Sequence, residues 1–445
     1  MTASACPSPA RAAPSATSTE AGVDGVLAPR TGDLIAYEPR PKLSAELRAC
    51  SFRHPLCVHA PRAPRAADEA LALLDAADHA WDVATGALEL PAPDASGSTG
   101  SLDLYLVDGE PHATRVLLEA RDPESGFDRA SAFALVGQGG GGGCPLYRAA
   151  ARVIARAILF RVAPATDEAS ALAESTHMAS LMVPCSTGRD EITLFQSHPE
   201  VGLTGLLPPS ESLPTSNGVE VVATPGETYA RGASLFYDWV EDSFGGYPGA
   251  IVRAMWAESP TVTSAAATRW NDEPDGFDVL RTSFKNALTT GSTVDDLWLD
   301  FAVARAFVDG APVRIDWSVD WPERPRTLMS AVGVAPTGAA YVSIDCSRRP
   351  AGARLRVEAR WEEHARILWA LVRVDATGKQ LGRVDVTGRE RGTEAQATLV
   401  DLEGTARVLV VGANAGDPRV AVDPDDYRLE PHGWVVSLAA EPSAP

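Results

Sequence analysis

CPLYRAAARVIARAILFRVAPATDEASALAESTHMASLMVPC, residues 144–185, reads as two helical stretches held between two cysteines. In the first, Val153, Ile154, Ala157, Ile158 and Phe160 recur at helical spacing and form an apolar face. Ala163-Pro164-Ala165-Thr166-Asp167 supplies the turn, and EASALAESTHMASLMV resumes the helical texture. Arg148, Arg152 and Arg156 stand four residues apart and share another face of the first helix. The glycine run at 139–143 lacks the Gly-Lys-Ser/Thr that a phosphate loop requires, so it reads as a flexible connector. Pro145 belongs in the first turn of the helix after it.

The pattern extends in both directions. Residues 66–88 have helical spacing; 101–108 and 130–137 are strand-like, with a shorter strand near 114–119. Together with the helix pair they make 66–185 a compact α+β unit. Residues 186–225 are rich in Pro and Gly, with short strand pieces expected at 192–195 and 218–222. Helices are expected over 228–244, 247–259, 277–290 and 293–308. From about 311 the period changes to two, and short strands separated by turn residues predict an antiparallel β-sandwich. The expected fold class is α+β with a helical subdomain, followed by that sandwich. Its parts are a disordered leader at 1–30, a loop-rich strap at 31–65, the α+β module at 66–310 and the sandwich at 311–445.

Composition narrows the function classes. The net charge of −20, from 59 acidic against 39 basic residues, opposes a nucleic-acid partner, and no basic patch with interleaved aromatics occurs. The most apolar stretch, 149–163, carries Arg152, Arg156 and Arg161 and falls short of the roughly 20 residues of a transmembrane span. Residues 1–18 lack the apolar centre of a signal peptide. The Ala-, Pro-, Ser- and Thr-rich leader nevertheless resembles the segment downstream of a signal peptide, and Ala3-Ser4-Ala5-Cys6 resembles the end of a lipoprotein processing site. Six cysteines without a C-x-x-C pair argue against a zinc ribbon. Cys50 and Cys57 bracket a short loop, and Cys144 and Cys185 flank the helix pair, so two disulfides and an oxidising, extracytoplasmic compartment are expected.

The order LDLYLVDG (102–109), SAFALVG (131–137), the arginine-bearing helix, Ala173-Glu174-Ser175-Thr176-His177-Met178-Ala179 and GASLFYDWVEDSFGGYPGAIVRAMW (232–256) resembles gluzincin-type zinc metallopeptidases of secreted bacterial proteins. The resemblance spans about half of the chain, in order and texture, without an intact signature motif. In that family the first helix carries H-E-x-x-H, whose two His hold zinc and whose Glu activates water. Here Arg152 and Arg156 fall at the His positions, Val153 at that of the Glu, and Glu174 matches the third ligand. Guanidinium has no lone pair to donate and valine takes no proton, so the resemblance implies a degenerate site with no metal and no catalytic residues. The expected relic site is Arg152, Arg156, Glu174 and His177, with Arg152 or Arg156 paired to Glu174; the alternative is a solvated arginine stripe.

Other constellations carry less. Glu174 and His177 form a Glu-x-x-His pair, but carboxylate-bridged metal sites need a second copy. His198, beside Glu200, lies in a segment that could fold over the groove. Asp417, Asp423, Asp425 and Asp426 lack calcium-loop spacing and read as turn chemistry. The expected function is non-catalytic: a cofactor-free exported protein that binds a protein or surface polymer, adheres, or self-assembles. The alternative is a secreted hydrolase working through Glu174 and His177.

Overall fold

The computed structural model describes residues 31–35, 37–43, 46–122, 126–183, 189–204, 220–262, 267–271, 273–274, 276–285, 294–386, 392–417, 422 and 430–442. The leader with Cys6, Cys185, and the acidic residues Asp423, Asp425 and Asp426 lie outside them.

The chain opens with β1 (Thr31–Leu34), β2 (Glu46–Cys50) and β3 (Leu56–Pro61), then α1 (Ala66–Asp82), which continues as a π-helical turn to Ala87. Next come β4 (Leu102–Gly109), β5 (Thr114–Arg121), β6 (Ala130–Gly137), α2 (Cys144–Val162), α3 (Glu168–Met182) and α4 (Arg189–Ser197). After β7 (Glu220–Val221) come α5 (Pro225–Gly232), α6 (Ser234–Phe244), α7 (Ala250–Glu258), β8 (Arg269–Asn271), α8 (Gly276–Lys285) and α9 (Val294–Arg305). The fold is α+β. Residues 192–195, expected as a strand, belong to α4: Glu191 and Phe195 are buried four residues apart, which is helical period. Residues 31–65, expected as a loop-rich strap with short extended pieces, contribute three strands of four to six residues.

Strands β2-β3-β4-β6-β5 form the backbone of the N-terminal sheet, with β3, β4 and β6 mutually parallel and β5 antiparallel at the edge. Period-two alternation divides its faces. Val58, Leu104, Leu106, Ala134 and Val136 enter the core that includes α1, α2 and α3. His59, Asp103, Tyr105 and Phe133 lie on the other face. There Asp103, fully buried, accepts from His59 (3.0 Å), Thr99 (2.6 Å), Ser101 (2.9 Å) and Arg40; His59 also pairs with Glu46. Cys50 and Cys57 are cross-strand neighbours joined in a disulfide. Cys144 is also disulfide-bonded, and Cys346 is a buried free thiol.

The C-terminal third holds β9 (Trp317–Asp320), β10 (Arg326–Met329), β11 (Ala339–Asp345), β12 (Arg354–Trp361), β13 (Ile367–Val374), β14 (Gln380–Val386), β15 (Glu394–Leu399), β16 (Arg407–Asn414) and β17 (Trp434–Glu441). They form a four-stranded sheet, β10-β17-β12-β15, and a five-stranded sheet, β14-β13-β16-β11-β9. Val342, Trp369, Leu371, Val408 and Val410 share a buried cluster with Leu355, Val357, Val436 and Leu438 of the other sheet. Tyr341, Ala370, Val372, Leu409 and Val411 point the opposite way, into the core shared with α9. Both faces of the central strands are therefore covered, which explains why ILWALVRV and RVLVVGAN read as nearly unbroken apolar runs.

Gly412 sits opposite Trp369 in the β13–β16 ladder, and a Cβ there would come within 2.7 Å of the indole. Trp369 is buried and has nowhere to move. Gly412→Ala should destabilise the protein by about 2 kcal/mol through overpacking. Urea titration with tryptophan fluorescence reads this directly, and a loss below about 0.5 kcal/mol would contradict the packing.

Among the described residues, no helix is long and apolar enough to cross a membrane.

Candidate functional site

Four elements meet at the edge of the N-terminal sheet. Edge strand β5 brings Thr114 and Arg115; α2 brings Arg152 and Arg156; α3 brings Glu168, Ser175 and Thr176; α5 brings Glu227 and Arg231. Their local folding is well determined. Gly139, Gly141 and Gly143 take positive φ and lead into Pro145 in the first turn of α2. Asp167 caps α3 by accepting from Ser170 N–H (2.9 Å). Thr224 and Glu227 form a capping box that starts α5. These caps fix where the arginines and glutamates stand.

The arginines are not a solvated stripe. Arg156 is 6% exposed, stacks over Phe160 with 4.3 Å to the ring centroid, and donates Nη2 to Glu168 (2.7 Å). Arg152 has a side chain 11% exposed and donates to Glu191 of α4 (2.5 Å). Burial first, and then Arg231 and Arg148 nearby, push the Arg152 guanidinium down to about 10 despite Glu191. Arg231, also buried, donates to the Thr114 carbonyl (3.2 Å). Neither Arg152 nor Arg156 takes Glu174 as partner, so the expected pairing is corrected. Glu168, at the start of α3, and Glu191, beyond it, lie closer to the guanidiniums.

Glu174 faces away, toward α6 and α7. Its two oxygens accept from Tyr237 O–H (3.2 Å) and Trp256 Nε1–H (2.8 Å), and it is buried. Burial pushes its carboxyl up to about 7, against the pull of those two hydrogen bonds. Because that lies above the ordinary 4.5, the protonated form supports the fold fully below pH 4.5. The contribution is lost as pH rises toward 7. Glu174→Gln keeps the shape and drops the charge, so it should exceed the parent in stability by about 3 kcal/mol at about pH 8 and match it at about pH 4. Thermal melts across that range test this; a difference that does not change with pH would contradict it.

His177, one turn on, is also buried. Its Nδ1 meets Asp238 (2.6 Å), and its Nε2 lies 3.8 Å from Glu241. Burial opposes its charge, but both carboxylates raise it to about 9, making it an imidazolium at neutral pH. Glu241 also accepts from the N–H groups of Ile251 and Val252 (2.8 and 3.1 Å), which fixes the start of α7. The pair thus reads as helix-tying chemistry, with a cleft of about 600 Å³ beside it. His198 pairs with Glu200 (3.5 Å). The backbone of Pro199 and Glu200 bonds to Ala335 and Ala339, so this segment joins the C-terminal sheets and does not cover the arginines.

The guanidiniums of Arg152 and Arg156 have no lone pair to offer a metal, and Val153 beside them is buried in the core. Among the described residues, no group of three or more His, Cys, Asp or Glu is arranged to hold a metal ion. Arg231 and Arg115 carry no signal in the sequence, because their place at the site depends on β5 and α5 docking from outside the 144–185 stretch.

No family model and no curated protein matches the chain. Among solved structures, it is similar to the pre-peptidase C-terminal domain of a collagenase from Bacillus anthracis, at 8% identity and a TM-score of 0.18. That match covers 29% of this chain and 97% of that domain, a likeness too low to support any inference.

Proposed function

We propose that this is a non-catalytic binding protein. In this reading an α+β module of metallopeptidase-like fold has exchanged its metal site for arginines, and the two C-terminal sheets form a β-sandwich. The observation that carries it is that Arg152 and Arg156 lie buried where the family would hold zinc, paired with Glu191 and with the half-exposed Glu168. Guanidinium neither ligates a metal nor takes a proton from water, so hydrolysis of the family type has no apparatus here. The Cys50–Cys57 disulfide supports a place outside the cytoplasm, where adhesion, ligand capture or structural assembly would use the protein.

A hydrolase working through Glu174 and His177 is the competing reading, favoured by the near-neutral carboxyl of Glu174. Against it, both oxygens of Glu174 are engaged by Trp256 and Tyr237, and Nδ1 of His177 by Asp238. Elemental analysis of the purified chain with a broad peptidase screen separates the two. The non-catalytic reading expects neither zinc nor turnover. Near-stoichiometric zinc, lost in Glu174→Ala or His177→Ala together with activity, would sink it.

A further inference from the structure

Between β5, α2, α3 and α5 lies a cavity of about 30 Å³, room for roughly two water-sized positions. Four guanidiniums line it, those of Arg115, Arg152, Arg156 and Arg231, against the carboxylates of Glu168 and Glu227. Glu168 has a side chain 54% exposed, and Glu227 already accepts from the Thr224 N–H within its capping box. Among the described residues, Nη1 of Arg156 and Nε of Arg152 have no hydrogen-bond partner. The Arg156 side chain is 8% exposed, so its unused donor is withheld from bulk water. A buried N–H left without an acceptor is a standing penalty, and a charged one the more so.

We infer that this cavity binds the carboxylate of a small acid or of a chain terminus. The inference rests on reading the module as a non-catalytic binder and names the class of ligand it would take. Two water-sized positions match the two oxygens of a planar carboxylate and are tight for a tetrahedral oxyanion. Charge-assisted N–H donors suit such a group, and Arg156 can offer Nη1 while keeping Nη2 on Glu168. Burial strengthens the attraction, because the unpartnered Nη1 of Arg156 is shielded from bulk water. Arg115, exposed on β5, stands at the entrance.

The test is calorimetric titration of the full chain with acetate, with tri-alanine bearing a free C-terminus, and with its C-terminal amide. Saturable binding of acetate and of the free tripeptide, with none of the amide, is expected. Equal affinities identify a small-acid site, and a tripeptide about tenfold tighter identifies a terminus site. Arg156→Met should weaken binding at least about tenfold, the loss of one charge-assisted hydrogen bond. Arg115→Gln, at an exposed position that folding does not depend on, should weaken it about threefold through the lost charge. Should Arg156→Met fail to fold, the Arg115 variant decides. No saturable acetate binding, equal binding of the amide, or unchanged affinity in the folded variants overturns the proposal. Zinc and peptidase assays on the same protein keep the two readings apart: turnover defeats the non-catalytic reading, whereas absent binding without turnover defeats the carboxylate alone.

Discussion

Arg305→Ala should lower the stability of the protein by about 4 kcal/mol in urea or thermal unfolding, among the largest effects of any single truncation. Arg305 ends α9 and is 2% exposed, yet no carboxylate is within ion-pairing distance among the described residues. Its charge is met by neutral acceptors: Gln196 Oε1 (2.7 Å) and the Phe195 carbonyl, with the Phe195 ring 3.7 Å from the guanidinium carbon. Gln196, fully buried, returns its amide to the carbonyls of Arg305 (3.0 Å) and Ala311 (2.9 Å). Truncation strands two buried acceptors, each worth about 1–3 kcal/mol, and leaves a cavity. Arg305→Met fills the space without the donors and should recover about half of the loss. A loss below about 1 kcal/mol for Arg305→Ala would show that water reaches these groups.

Asp103→Ala is expected to be comparably severe, at about 3–5 kcal/mol, because it removes the fully buried carboxylate that Arg40 and His59 share on the outer face of the N-terminal sheet, leaving Arg40 only Glu119 and His59 only the more exposed Glu46. Burial raises the Asp103 carboxyl, but hydrogen bonds from His59, Thr99, Arg40 and Ser101 outweigh it and hold the group well below the usual carboxylate range. A depressed acid stabilises the fold above its ordinary 3.8, and that contribution is lost as pH falls through its folded value. His59 behaves in the opposite sense. Burial lowers it, while Asp103 and Glu46 raise it above 6.5, so its contribution is complete below 6.5 and lost as pH rises through the folded value. The difference between parent and Asp103→Ala should therefore be widest between pH 3.8 and 6.5 and narrow on both sides. Denaturation at a series of pH values checks this; a flat difference would mean the cluster does not titrate as a unit.

Much of the architecture is legible in the sequence where apolar residues recur at helical spacing or run nearly unbroken through strands buried on both faces. The α2–α3 pair and strands β4, β6, β13 and β16 fall close to where their apolar spacing predicts. Strand β10 escapes because RTLM buries Leu328 alone and shows no alternation. Helix α4 escapes because Ile192 and Thr193 favour strands locally, and the burial of Phe195 against Tyr229 and Phe301 overrides that preference. The site is half legible. Spacing places Arg152 and Arg156 on one helix, but their acids come from across a turn and from α4. Glu174 finds Tyr237 and Trp256 at separations of 63 and 82 residues. Such partners are set by packing, and no local pattern announces them.

The two-sided burial of the five-stranded sheet bears on how the chain can be divided. Cutting near residue 311 would give a C-terminal fragment whose strands pair normally but whose Val372, Leu409, Val411 and Ala413 face water. A contiguous apolar face of that kind drives self-association. The fragment should therefore purify as oligomers even though every strand in it is intact, and a usable expression boundary lies N-terminal to α9, whose Trp298, Phe301 and Ala302 belong to the same core.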